Sequence, residues 1–279
     1  MSNRGAVGRL GRGSIVALAA LGSAGCGAPE ETTGEADQAA LSANALSANA
    51  LSANALSANA LSANAMDPAA MSAAQDPGTR GDLARAFLRY AVSCAFRADQ
   101  RLDLTWTGAD GTVHAESYPG QLGLAPSWAT GSLGSPGRQW VSACLAARVN
   151  AFGVTVPLSL RGPTPALATS CAEAAAFPTR EGAFFGDLFS GTPKVYACYD
   201  PTTTVLSDLR HRVCAQPTSG GAGHECGPIQ VLGPCVQLLG LLSIGPCSAQ
   251  DPQLRYFSDC SSSGGTSIPA ITSFLEGPL

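Results

Sequence analysis

Charge is scarce in this chain. Asp, Glu, Lys and Arg make up only 13% of its 279 residues, about half the share of an ordinary globular protein. Lysine occurs once, at Lys194, and histidine three times. With a net charge of −4 and no basic stripe, the composition excludes a nucleic-acid surface, which needs clustered Lys and Arg. No apolar run reaches the roughly 18 residues that span a bilayer as a helix. Missing too are Gly-x-Ser-x-Gly, a P-loop, His-Glu-x-x-His, a dinucleotide fingerprint and an EF-hand loop. The usual local signatures of serine hydrolysis, nucleotide binding, zinc proteolysis and calcium binding are therefore absent, and no cofactor is expected.

Other absences are regional. Residues 1–80 contain no aromatic residue, and residues 27–80 contain no Cys. Within that stretch Leu-Ser-Ala-Asn-Ala repeats five times without change over residues 41–65. As an α-helix its leucines would step by about 140° and form no stripe. Five copies would make little more than one coil of a pentapeptide β-helix, too few to bury a core. Residues 27–80 therefore read as a low-complexity tether.

Before it, residues 1–26 have the pattern of an export signal. Arg4, Arg9 and Arg12 form a positive segment, Ile15 to Leu21 an apolar one, and small residues lead to Cys26. Ala24-Gly25-Cys26 resembles the bacterial lipobox, with Ser23 where that family usually has Leu. The resemblance implies that Cys26 is lipidated and becomes the mature N-terminus, and a lipid there supplies membrane anchoring. Gly27, in the place where an Asp would retain a lipoprotein at the inner membrane, implies the outer membrane.

All three Trp, all five Tyr and all nine Phe lie beyond residue 80, so residues 81–279 read as the globular body. Apolar spacing predicts a helix over 83–97, capped by Asp82, with Leu83, Phe87, Tyr90, Ala91 and Cys94 on one face. Ser135-Pro136 predicts the start of a second helix, with Trp140, Val141, Cys144, Leu145, Val149 and Phe152 inward. Leu102–Trp106 and Thr112–Tyr118 predict a hairpin around Gly108–Gly111. Residues 154–160 predict an edge strand, because Pro157 cannot donate to a ladder. Residues 194–199 predict another strand. Beyond 200, Gly, Pro, Ser and Cys dominate, and a loop-rich subdomain over about 200–279 is expected. The fold class is α+β: two disulfide-linked helices on a small, mostly antiparallel sheet, with a loop-rich, disulfide-stabilised C-terminal part.

Beyond Cys26 there are nine cysteines, six of them within 63 residues near the C-terminus. In an exported chain such density reads as a disulfide framework. Cys94 and Cys144 face inward on the two predicted helices and are expected to pair. Cys198, Cys214, Cys226, Cys235, Cys247 and Cys260 are disulfide candidates whose pairing spacing cannot assign. Nine is odd, so lipidation of Cys26 would leave one thiol over, and Cys171 is one candidate for it.

Three constellations bear on chemistry. His114 and Glu116 lie two apart on a predicted strand and so share a face; a His beside a carboxylate can act as a general base. The same pair also fits a plain solvated strand face. His211, Cys214, His224 and Cys226 offer two imidazoles and two thiols, the donor set of tetrahedral zinc. Their spacing fits no zinc finger, however, and thiols in an oxidising compartment form disulfides, so no metal is expected. Arg180–Phe189 holds three Phe and two acids, and reads as core more readily than as a binding lip.

Leu122–Trp128, Trp140–Asn150 and Arg180–Phe189, together with the repeat tether and the Cys-rich tail, resemble uncharacterised lipoproteins of myxobacterial type. The resemblance implies export and anchoring and carries no activity or catalytic residue. The functional expectation is a lipid-anchored envelope or surface lipoprotein, held to the membrane through its N-terminus. Its body would bind a protein or polysaccharide partner or play a structural part. The competing expectation is an exported hydrolase using His114 and Glu116.

Overall fold

The computed structural model describes residues 41–43, 62, 64–67, 72–150, 156–204, 206–213, 224–226, 229–239, 242–247, 255–262 and 265–277. All belong to one unit, Thr33–Leu279. Among the described residues the first element is a short strand, Leu41–Ala43 (β1), and the helix Thr79–Ala95 (α1) comes later. The hairpin Arg101–Thr107 (β2) and Val113–Pro119 (β3) leads to the helix Ser135–Ala147 (α2). There follow Pro157–Arg161 (β4), Cys171–Ala176 (α3), Thr179–Asp187 (β5), Lys194–Tyr199 (β6) and Leu206–Val213 (α4). The last part holds His224–Cys226 (β7), Ile229–Pro234 (β8), Gln237–Leu239 (β9), Leu242–Ile244 (β10), Asp259–Cys260 (β11), Ile268–Pro269 (β12) and Ile271–Leu275 (β13).

Seven strands form one sheet in the order β1-β4-β13-β5-β6-β8-β7. Every pair in it is antiparallel except β6 with β8. The α+β class and the mostly antiparallel sheet are thus as expected, although the sheet is larger than the sequence suggested. Its centre holds a surprise: β13, the last strand of the chain, sits between β4 and β5. All five of its residues are buried. The C-terminal part is therefore no appendix, because its final strand completes the core.

Side-chain alternation sends successive residues of β5 and β6 to opposite faces. Phe184, Val195 and Ala197 point to the face covered by α2. Ala183, Phe185, Cys198 and Tyr196 point to the other, where they meet Cys235, Cys247, Phe257 and Cys260. Helices cover one face, and disulfide-bearing loops cover the second. A loop layer has few long apolar side chains to bury, and cross-links that restrict the unfolded chain make up for them.

One irregularity re-aims a charged residue. The ladder between β13 and β5 steps from Ser273↔Gly182 to Phe274↔Arg180, leaving Glu181 without an opposite residue. Such a bulge reverses which face the following side chains take. Arg180 accordingly stacks on Phe257 in the disulfide layer, and Glu181 turns toward the end of α2.

Helix α1 starts four residues before the sequence suggested. Its N-cap is Gly78, and Asp82 lies inside the first turn, bonded to Arg85 at 2.6 Å. Phe87, Ala91 and Cys94 are fully buried, as the spacing predicted, with Leu83 and Tyr90 packed at the margin. Cys94 joins Cys144 on α2, so the two helices are linked as expected.

Strand β4 is not an edge: β1 lies outside it, with Ala43 opposite Pro157. Proline is tolerated there as the first residue of the strand. The body also reaches back into the stretch read as a tether. Residues 72–75 form a 3-10 turn with Ala73 and Ala74 buried. Met66 is buried too, and its N–H donates to the Trp128 carbonyl at 2.8 Å.

Candidate functional site

Residues 114 and 116 lie on the one face of the hairpin that turns toward α1. Leu102, Leu104 and Trp106 of β2 and His114, Glu116 and Tyr118 of β3 alternate inward. Trp106 stands directly opposite His114, and Leu104 opposite Glu116. Arg85 and Arg89, one helical turn apart on α1, reach the same cluster.

Glu116 is its centre. Trp106 Nε1 donates to Oε1 at 2.9 Å, and the Tyr118 hydroxyl donates to Oε2 at 2.8 Å. Arg89 Nη2 lies 3.4 Å from Oε2, and Arg85 Nε lies 4.0 Å from Oε1. Partial burial pushes the Glu116 carboxyl up, but the bonds from Trp106 and Tyr118 and the charge of Arg89 outweigh it and leave it below its ordinary range. Burial and the bond to Glu116 push the Tyr118 hydroxyl well above its ordinary value.

Trp106 is stacked on both sides. The His114 ring lies 4.1 Å away, 14° from parallel. The Arg85 guanidinium lies 3.7 Å from the indole centroid, and two groups this close cannot share one face of the ring. Arg85 also donates to the carbonyls of Ala74 and Asp76, both at 2.9 Å. It thereby fastens the segment before α1 to the hairpin.

This geometry is a clamp. A general base needs a free lone pair aimed at substrate and a pKa near the working pH. Both Glu116 oxygens already accept hydrogen bonds, and the group is a stronger acid than usual. No hydrogen bond joins His114 to Glu116 among the described residues; His114 is engaged through its ring. Asp187, one of the two acids of Arg180–Phe189, sits elsewhere, paired with Arg138 at 3.2 Å and accepting from the Phe189 N–H at 2.9 Å.

Among the zinc candidates, Cys214 lies outside the described residues, as do the side chains of His211, His224 and Cys226. The described cysteines Cys94, Cys144, Cys171, Cys198, Cys235, Cys247 and Cys260 are all disulfide-bonded. Cys198 pairs with Cys235, and Cys247 with Cys260. Cys171, offered by the sequence as a spare thiol, is thus corrected to a bonded cysteine.

Spacing gave no hint that two of these bridges would touch. Cys198 Sγ lies 3.5 Å from Cys247 Sγ, and Cys198, Cys247 and Cys260 form a buried trio of sulfurs. A metal needs thiolates, so in disulfide form the trio is structural. Phe184, Phe185 and Phe189 are fully buried, which makes Arg180–Phe189 core.

Disulfides of this number belong to an oxidising, extracytoplasmic compartment. No helix among the described residues is long and apolar enough to cross a membrane. No protein family, curated protein or solved structure matches this chain.

Proposed function

We propose that this chain is an exported lipoprotein, held to the outer membrane through lipidated Cys26, whose disulfide-framed body binds a protein or polysaccharide partner or serves a structural role in the envelope. The observation that carries the reading is the disulfide bonding of Cys94, Cys144, Cys171, Cys198, Cys235, Cys247 and Cys260. A chain stitched in this way must leave the reducing cytosol. The signal-like segment ending at Cys26 is the feature that would take it out. The two most organised polar clusters, around Glu116 and around Glu181, hold elements together and leave no carboxylate free for catalysis, so binding or structure is favoured over hydrolysis.

The test is the intact mass of the protein purified from its own membranes. A mature chain starting at Cys26 and carrying a diacylglyceryl group is the expected result. Cys26→Ser should then release the body from the membrane. An unmodified chain cleaved elsewhere, or one that stays membrane-bound as Cys26→Ser, overturns the reading.

A further inference from the structure

The outermost strand of the sheet is taken from the first copy of the repeat. Leu41, Ser42 and Ala43 pair antiparallel with Ser159, Leu158 and Pro157 of β4. Every copy is preceded by Ala and reads Leu-Ser-Ala-Asn-Ala. The tripeptides starting at Leu46, Leu51 and Leu56 have the same sequence as Leu41–Ala43 and the same backbone donors and acceptors to offer. A move of one copy restores Leu opposite Ser159, so the slot has no chemical means of telling the copies apart.

The repeat itself does not dictate a strand. In the fifth copy Ser62 is helical and buried, and its carbonyl accepts the Leu133 N–H at 2.9 Å. One sequence thus takes two backbone states, each set by the surface it lies on. A peptide with no strong preference of its own is suited to adding to a sheet edge through main-chain bonds.

We infer that the outer edge of β4 is a strand-acceptor slot shared by the first four repeats of the same chain, which occupy it in turn in five-residue steps. Loop-closure entropy varies slowly with loop length except in short loops, so the first three registers, which leave eight or more residues before Ser62, are close in free energy, and the fourth requires Ser62 to leave Leu133. Occupation by the fourth copy in place of the first lengthens the chain between Cys26 and the slot from 15 to 30 residues. As a coil its r.m.s. span grows from about 21 Å to about 30 Å. The stand-off of the body from its N-terminus becomes adjustable without loss of sheet pairing. The slot itself does not depend on whether Cys26 carries a lipid.

Hydrogen exchange of β4 in the full-length protein tests this. Successive N–H groups of a strand point to opposite edges, so prolines at both Leu41 and Ser42 necessarily remove a ladder donor from the first copy. A second variant carries the same two changes in all four copies. The quantity read is the exchange rate of residues 158–161 relative to that of β5, so that general destabilisation cancels.

The first variant should keep its relative protection within about two-fold, and the four-copy variant should lose about ten-fold or more. Equal loss in both variants means that only the first copy fits, and overturns the inference. Protection retained in the four-copy variant means that repeats do not cover β4, and overturns it too. Protection of the first variant that rises with protein concentration assigns the slot to a second copy of the chain and overturns the within-chain exchange.

Discussion

Glu181 and Arg212 form a doubly bonded ion pair with neither side chain more than 1% exposed. Arg212 Nη2 donates to Glu181 Oε2 at 2.7 Å, and Nε donates to Oε1. The Ser273 hydroxyl donates to the same Oε2 at 2.6 Å. Arg212 Nη1 spans the carbonyls of Ala147 and Val149 at 3.1 and 2.6 Å. The pair thus ties α4, the end of α2, β5 and β13 at one point. Removing one partner strands a buried charge, at a cost of about 3–5 kcal/mol. Glu181→Met alone should lower the unfolding free energy from urea titration by that much, and the double variant with Arg212→Met should recover a large part. A double variant no more stable than the single one would show that shape, and not the stranded charge, sets the cost.

The Cys94–Cys144 bridge closes a loop of 50 residues. Chain-entropy reasoning gives about 4 kcal/mol for a loop of that length. Arg148 sits beside it, with Nη1 2.9 Å from Ser93 Oγ and Nη2 3.2 Å from Gln121 Oε1. These bonds keep α1 and α2 aligned without the bridge. Cys94→Ala with Cys144→Ala should therefore fold in oxidising buffer yet melt markedly earlier. An unchanged melting temperature by circular dichroism would remove the bridge from the stability argument.

Much of this fold is written locally. The face of α1, that of α2 as far as Ala147 (Phe152 lies outside the described residues), the hairpin and β6 follow from spacing alone, and so does the pairing of Cys94 with Cys144. Each depends on contacts close in sequence or on one inward residue per helix. Strand β13 was not legible, because Ile271–Leu275 is short and follows a stretch of Gly, Ser and Pro. Only its neighbours β4 and β5, over 80 residues earlier, make it central. The aim of Glu181 was hidden as well, since a bulge obeys no period. His114 and Glu116 do share a face, as alternation requires. Trp106, Arg85 and Arg89, which define that cluster, come from other elements and carry no motif.

Acid should destabilise the protein in a defined window. Burial pushes the Asp200 carboxyl up, but Arg180 at 2.5 Å and two bonds from Thr202, at 2.8 and 3.0 Å, outweigh it and hold it below its ordinary range. Glu116 is lowered too. A carboxylate more acidic in the folded state contributes stability that is complete above the unfolded value, about pH 4. Below that pH the unfolded chain takes up the proton first, and the contribution is lost as pH falls through the folded value. Urea midpoints measured from pH 7 to pH 2.5 should be flat above about pH 5 and then decline. Asp200→Asn should start lower and decline less steeply. A slope unchanged by Asp200→Asn would assign the acid sensitivity to other groups.

The partner of Cys171 decides between the two states open to Cys26. Three bridges account for Cys94, Cys144, Cys198, Cys235, Cys247 and Cys260, and Cys171 is bonded as well. Within one chain its partner must be Cys26, Cys214 or Cys226. A lipid on Cys26 occupies the sulfur as a thioether, which cannot enter a disulfide. Lipidation therefore requires Cys171 to pair with Cys214 or Cys226, and leaves the other of those two as a lone thiol. Without the lipid all ten cysteines can close into five bridges. Peptide mapping of the non-reduced, alkylated protein from native membranes reads this directly. The lipoprotein reading expects one alkylated cysteine, at position 214 or 226, and a Cys171 bridge to the other. A Cys171 bridge to Cys26 would end it, and would make the N-terminus a cross-linked part of the body.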